Sequence, residues 1–225
     1  MAQYNIKELR LELKRLLNDL CGSARFEQLF SSATIWDWIK VHRKEIPDYI
    51  SFNFGMTRFV FWDNRYCEVV FKVLINDCDI DYNANEEFIY NKACEYHVEK
   101  WFAWMVKVDS YEFGDNKIDF YAMEFCESDC DEITSEIESR HREENESNGV
   151  ESTEESYDGS EEDMEYLMYS KYDQVSVDDL YNFLREFHVN DTHCGNWGYK
   201  DGDLILIDFG GYDRDLMALA EEAAK

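Results

Sequence analysis

Residues Val69-Val-Phe-Lys-Val-Leu-Ile75 form a β-rich run with a lysine, Lys72, at its centre. A lysine with apolar neighbours on both sides costs free energy unless it is paired or holds an anion. Standing alone, it could also snorkel to water from an edge strand. Upstream, Phe59-Val-Phe-Trp62 is a second β-rich run. Asp63-Asn64-Arg65 separates the two, so the spacing predicts a strand, a turn and a strand.

Around this core the periodicity alternates. Ile6, Leu9, Leu13, Leu16, Leu17 and Leu20 recur at helical spacing, and a second helical stretch covers about 25–45, closed by Pro47, the one proline. Residues 84–105 return to helical spacing through Phe88, Ile89, Ala93, Val98 and Trp101. Two strand-like runs follow, Trp104 to Val108 and Ile118 to Phe125. Residues 127–165 then hold 17 acidic residues against Arg140 and Arg142, a net charge of −15. With few apolar residues, this reads as a mobile acidic insertion: a solvated loop, or a nucleic-acid decoy for a basic protein groove. Order resumes in a helix at about 176–187 with Ser176 as its N-cap, a polar turn, a strand from Leu204 to Ile207, and a short Ala-rich helix.

The whole chain of 225 residues has room for one medium domain or two small lobes. Its formal charge of −28 repels phosphate backbones and anionic lipid, which argues against direct nucleic-acid or membrane binding. A basic protein, or a nucleotide carried with metal, stays compatible. No apolar run approaches the ~20 residues that span a bilayer. The charged amphipathic start does not resemble a signal peptide. Seven scattered cysteines then predict reduced thiols in a cytoplasmic protein. Cys126, Cys130 and His141 have a spacing open to zinc, but no second cysteine pair accompanies them.

The stretch His188-Val-Asn-Asp-Thr-His-Cys-Gly-Asn-Trp-Gly198 and the later Leu204-Ile-Leu-Ile-Asp-Phe-Gly210 carry the chemistry. They offer an aspartate, an asparagine five residues on, and an aspartate at the end of an apolar strand. Phosphoryl transfer needs such groups: one carboxylate for the attacking hydroxyl, and an amide oxygen with a second carboxylate for Mg²⁺.

In these residues the chain resembles the protein-kinase-like superfamily. The form D-x-H-x-G-N followed by D-F-G is similar to aminoglycoside phosphotransferases and small phage kinase-like proteins. The resemblance implies an α+β, two-lobed protein-kinase-like fold with a β-rich N-lobe, a strongly reduced helical C-lobe and extra N-terminal helices. Its segments would be 1–47 (N-terminal helices), 48–126 (N-lobe), 127–165 (acidic insertion) and 166–225 (C-lobe). It implies ATP and Mg²⁺ as cofactors. Asp191 takes the catalytic-base position, and Asn196 and Asp208 the metal positions. Lys72 takes the phosphate-neutralising position, with Glu87 as the helix glutamate that holds it; Glu86 and Glu95 are the alternatives. Gly55, Thr57 and Arg58 match a shortened phosphate-covering turn. Met123-Glu124-Phe125-Cys126 matches the hinge that meets adenine, which brings in Glu124 and Cys126. The inner His193 would brace the catalytic loop.

Two functions follow from this resemblance. The first is a phosphotransferase acting on a protein or small-molecule hydroxyl. The second is an inactive kinase-like acidic module, encoded by a phage or mobile element, that inhibits a basic host protein in the host cytoplasm. The presence of all five polar positions ranks the first ahead.

Overall fold

The computed structural model describes residues 5–21, 35–55, 57–74, 81–113, 116–148 and 159–210. Its contacts divide the chain into two units, one of residues 1–87 and 104–125 and one of residues 88–103 and 126–225. The fold class is α+β, with a five-stranded antiparallel sheet in the first unit.

That sheet is built from β1 (Ile50–Phe54), β2 (Arg58–Asp63), β3 (Val69–Leu74), β4 (Met105–Phe113) and β5 (Asn116–Glu124). Their spatial order is β1-β2-β3-β5-β4. The sequence runs therefore mark strands as expected, and β1 adds one that the Phe59–Ile75 hairpin does not announce. The register pairs Phe61 with Phe71 and Phe71 with Ala122; one step along, Phe59 faces Val73 and Val73 faces Phe120. Side chains alternate across a strand, so these six share one face. All are buried.

Helix α1 (Ile6–Cys21) covers that face with Leu9, Leu13, Leu16, Leu17 and Leu20, spaced as one helical stripe. Helix α2 (Ile35–His42) adds Ile39 to the same cluster. The N-terminal helices thus belong to the core of the sheet. A bulge in β4 leaves Val108 outside the ladder. Arg10 of α1 donates to the Val108 carbonyl at 2.9 and 3.2 Å, satisfying the acceptor that the bulge frees.

The β2–β3 turn is held by one buried carboxylate. Asp63 accepts the backbone N–H of Arg65 at 3.0 Å and its guanidinium Nε at 2.8 Å. Arg15 of α1 also reaches it. The hydrogen bonds from Arg65, then those from Arg15, overcome the upward push of burial and hold the Asp63 carboxyl well below the ordinary carboxylate range. The Arg65 guanidinium in turn lies 3.8 Å from the Tyr49 ring centre.

In the second unit, α3 (Tyr82–Tyr96) contributes Ile89 and Ala93, and a 3₁₀ turn (Glu99–Trp101) follows it. Helices α4 (Cys130–Asn148), α5 (Glu161–Lys171) and α6 (Gln174–Glu186) complete its helical part. The acidic stretch expected to be mobile is therefore helical over 130–148 and from 161 onward. Its sparse apolar residues suffice because they sit one turn apart. Ile133 and Ile137 are fully buried in one cluster with Met164, Leu167 and Met168. Glu136, on α4, accepts from Arg140 at 3.0 Å, Lys171 at 3.1 Å and the Tyr199 hydroxyl at 2.7 Å. Burial pushes its carboxyl up, but these three donors hold it below the ordinary value.

The N-cap of α6 is Asp173, whose side chain accepts the Ser176 N–H at 2.9 Å, so Ser176 is capped and does not cap. Helix α6 buries Val177, Leu180, Tyr181, Phe183 and Leu184. Strands β6 (Trp197–Lys200) and β7 (Asp203–Leu206) form a hairpin closed by Asp201 and Gly202, both at positive φ.

Cys130 and Cys194 are joined as a disulfide, with Cα atoms 5.4 Å apart, so these two thiols depart from the expected reduced state. Among the described residues Cys67, Cys94 and Cys126 are outside any disulfide. The Ala-rich C-terminal helix, Ile75 and Gly114-Asp115 lie outside the described residues. Among the described residues no helix is long and apolar enough to cross a membrane.

Asp63→Asn should lower the melting temperature by several degrees at pH 7, because two guanidinium groups lose their shared counter-charge. The folded-state carboxyl lies below its unfolded value of about 3.9, so its contribution is present above that pH and fades as pH falls. Denaturation from pH 7 to 2 should show the two proteins converging at the acid end.

Candidate functional site

Gly55, Thr57, Arg58, Lys72, Glu87 and Glu124 belong to the first unit, and Cys126, Asp191, Asn196 and Asp208 to the second. Each group is built within its own unit.

Lys72 pairs across the sheet with Val60 on one side and Tyr121 on the other. Alternation puts it on the face opposite the leucine stripe. Here the first turns of α3 supply its partner. Lys72 Nζ donates to Glu86 Oε2 at 2.9 Å and Oε1 at 3.2 Å. Arg58 Nη1 donates to the same Oε1 at 2.6 Å. Glu86 is fully buried and Lys72 is 5% exposed. One carboxylate thus meets two cations at a site largely shielded from water.

Glu87 does not hold Lys72. Its Oε1 accepts the backbone N–H of Lys107 at 2.7 Å, beside the β4 bulge. Burial is the main influence on this carboxyl and pushes it up, against the hydrogen bond from Lys107. Neighbouring helix residues point about 100° apart, so one faces β3 and the next faces β4. Sequence spacing cannot choose between two adjacent glutamates; the register of helix against sheet does. The role of Arg58 had a signal in the alternation of β2. It shares a face with Val60, which opposes Lys72, so it lies on the diagonal from the lysine.

The expected phosphate-covering turn is otherwise engaged. Gly55 N–H donates to the Arg58 carbonyl at 2.9 Å, closing the β1–β2 hairpin. That donor serves the hairpin and not a phosphate. At the expected hinge, Glu124 N–H donates to the Trp104 carbonyl at 3.0 Å and Phe125 N–H to the Glu68 carbonyl at 3.1 Å. Cys126 is buried in the second unit, its Cβ within 2.9 Å of where a Gly198 Cβ would stand. Gly198 therefore admits no side chain.

In the second unit the polar turn becomes a knot of short-range hydrogen bonds. Asn196 Nδ2 donates to the Asp191 carbonyl at 2.8 Å, which turns the amide oxygen the other way. The Asn196 carbonyl accepts Ile207 N–H at 2.8 Å and Asp208 N–H at 3.2 Å. Asn196 and Asp208, remote in sequence, are therefore adjacent in backbone. Trp197 Nε1 donates to the Thr192 carbonyl at 2.9 Å and anchors the turn on the core. Phe209 is buried, its ring 5.2 Å from that of Phe102 in an edge-on contact. This packing fixes the chain on which Asp208 stands.

His193 Nδ1 accepts the Gly195 N–H at 3.1 Å, so in the neutral ring the proton sits on Nε2. Nε2 lies 3.3 Å from Asp191 Oδ1. The Asp191 side chain is 61% exposed, open to an acceptor group. His193 thus stands beside this carboxylate within the turn.

An amide oxygen from Asn196 and a carboxylate from Asp208 are hard oxygen donors that fit Mg²⁺. Among the described residues no group of three or more His, Cys, Asp or Glu could hold a metal by itself. Magnesium tolerates such a small protein set, since phosphates and waters complete its shell. The zinc spacing does not assemble. Cys130 is in the disulfide, and His141 stands 11 residues along α4, about 16 Å away at helical rise, stacked on Tyr166.

No protein-family model, curated protein or solved structure matches this chain.

Glu86→Ala should destabilise the protein by about 3 kcal/mol, since it removes the buried carboxylate that Lys72 and Arg58 share. Glu87→Gln should cost about 1 kcal/mol, since the amide oxygen still accepts the Lys107 N–H and only the charge on the acceptor is lost. Urea denaturation of the two variants checks the order; equal losses would reject Glu86 as the shared counter-ion.

Proposed function

We propose that the chain is a kinase-like phosphotransferase that uses ATP and Mg²⁺. The observation that carries this reading is the buried Arg58–Glu86–Lys72 cluster, a strand lysine held by a helix glutamate. The backbone contact of Asn196 with Asp208, in a turn that also orients Asp191, supports it. In this reading the Lys72 amine neutralises nucleotide phosphate, with Glu86 keeping it extended and charged. Asn196 and Asp208 would hold Mg²⁺, which would supply charge to offset that of the phosphates. Asp191 accepts the proton of an acceptor hydroxyl as its oxygen bonds to the γ-phosphorus and the bond to the β-phosphate oxygen breaks, releasing ADP.

A second reading is favoured by the engagement of Gly55 N–H in the hairpin and by the charge of −28. It is a binding module of the same kind that acts by contact with a basic protein and turns over no nucleotide. Its acidic segment is not a removable tail, since Ile133 and Ile137 are core residues.

Thermal denaturation with ATP, with and without Mg²⁺, tests the first reading. Ligand at 100 times its dissociation constant should stabilise the protein by about 2.7 kcal/mol. Asp208→Asn should remove the Mg²⁺-dependent part, and Lys72→Met should weaken ATP itself. Asp191→Asn should keep nucleotide binding and lose phosphate transfer. Absence of any shift in the unaltered protein would reject the nucleotide reading and leave the contact module.

A further inference from the structure

The Asp191–Asn196 turn is tied to the rest of its unit at a sulfur. Cys194 lies between Asp191 and Asn196 in sequence, and its side chain is bonded to Cys130 at the first residue of α4. Its N–H donates to the Gly159 carbonyl at 2.8 Å. Gly159 is at φ +70, and a Cβ there would overlap the Cys194 sulfur and stand 3.1 Å from the Thr134 methyl. Glycine is required twice over, by the backbone angle and by this close approach. The α4 terminus and Gly159, two residues before α5, therefore close around one side chain of the turn.

We propose that Cys130 and Cys194 form a thiol–disulfide exchange site that sets the conformation of the Asp191–Asn196 turn in response to a dithiol reductant. Cys194 is buried and Cys130 is partly exposed, so the incoming thiolate attacks the Cys130 sulfur. A mixed disulfide with Cys130 forms, the bond between the cysteines breaks, and Cys194 leaves as a thiolate that takes up a proton. The second thiol of the reductant then attacks its own mixed-disulfide sulfur. Cys130 is released as a thiol, and the reductant departs as an intramolecular disulfide. Two electrons and two protons pass from reductant to protein.

The conformational consequence is steric. Two thiols stand farther apart than two bonded sulfurs, so reduction must separate α4 from the turn. Gly159 packs against the Cys194 sulfur, and the displacement falls on the Cys194 N–H bond to Gly159. That bond is three residues from Asp191 and two from Asn196. Control of phosphoryl transfer by this site rests on the proposed function; the exchange chemistry itself does not.

The test compares the full-length protein after equilibration with oxidised and with reduced dithiothreitol. Peptide mass mapping should find the 130–194 cross-link in the oxidised form and not in the reduced form. Hydrogen exchange of the 191–197 segment should quicken by at least about tenfold on reduction, with helix α6 changing less, as a local opening requires. Cys130→Ser should exchange as the reduced form in both conditions, and Cys67→Ser should switch as the unaltered protein does. Lack of the cross-link after oxidation, or equal exchange of 191–197 in the two forms of the unaltered protein, would overturn the proposal without any variant. Thermal shifts with ATP and Mg²⁺ separate this outcome from the earlier reading. Unequal shifts in the two redox forms support control of the site, and equal, non-zero shifts overturn it. No shift in either form rejects the nucleotide reading alone, and the exchange data still decide the switch.

Discussion

Glu86 has no exposed surface and carries a charge that two cations share. An isolated buried carboxylate would be too costly to keep ionised, as would a lysine in the middle of a sheet. Each helps to make the other tolerable, with Arg58 as the third member. This mutual dependence joins β2, β3 and α3. It also dictates how α3 must be rotated, so that one glutamate meets β3 while its neighbour meets β4.

The opposite face of the sheet solves a simpler problem. Alternation gathers Phe59, Phe61, Phe71, Val73, Phe120 and Ala122 on one side, and the leucines of α1 cover them. With apolar burial concentrated there, the other face is available for polar chemistry. The Val108 carbonyl freed by the bulge is met by Arg10, and the turn after β2 is pinned by Asp63. Both of these polar groups are thus met at joints between elements.

The second unit uses a different economy of residues. Its acidic helices contribute few apolar side chains, but those few are spaced to face one cluster, and Glu136 gathers three donors at its edge. Composition alone read this stretch as mobile, since it averages over positions. Position along the helix decides burial, and two isoleucines one turn apart are enough to seat α4. The same folding brings Gly159 and Cys130 onto Cys194, which links the acidic stretch to the polar turn.

The strands with strong β character, the leucine stripe, and the lysine that needs a counter-charge are set by side-chain chemistry along a short stretch of chain, so they were legible in the sequence. So were the polar turn that carries Asp191 and Asn196 and the strand ahead of Asp208, because both are local. The choice of Glu86 over Glu87, the second cation Arg58, the engagement of Gly55 N–H, the Asp173 cap and the Cys130–Cys194 bond were not. Most of these depend on which way an element is rotated or on which distant segment lies beside it. Such facts arise from packing of whole elements, and a residue's neighbours in sequence carry no record of them.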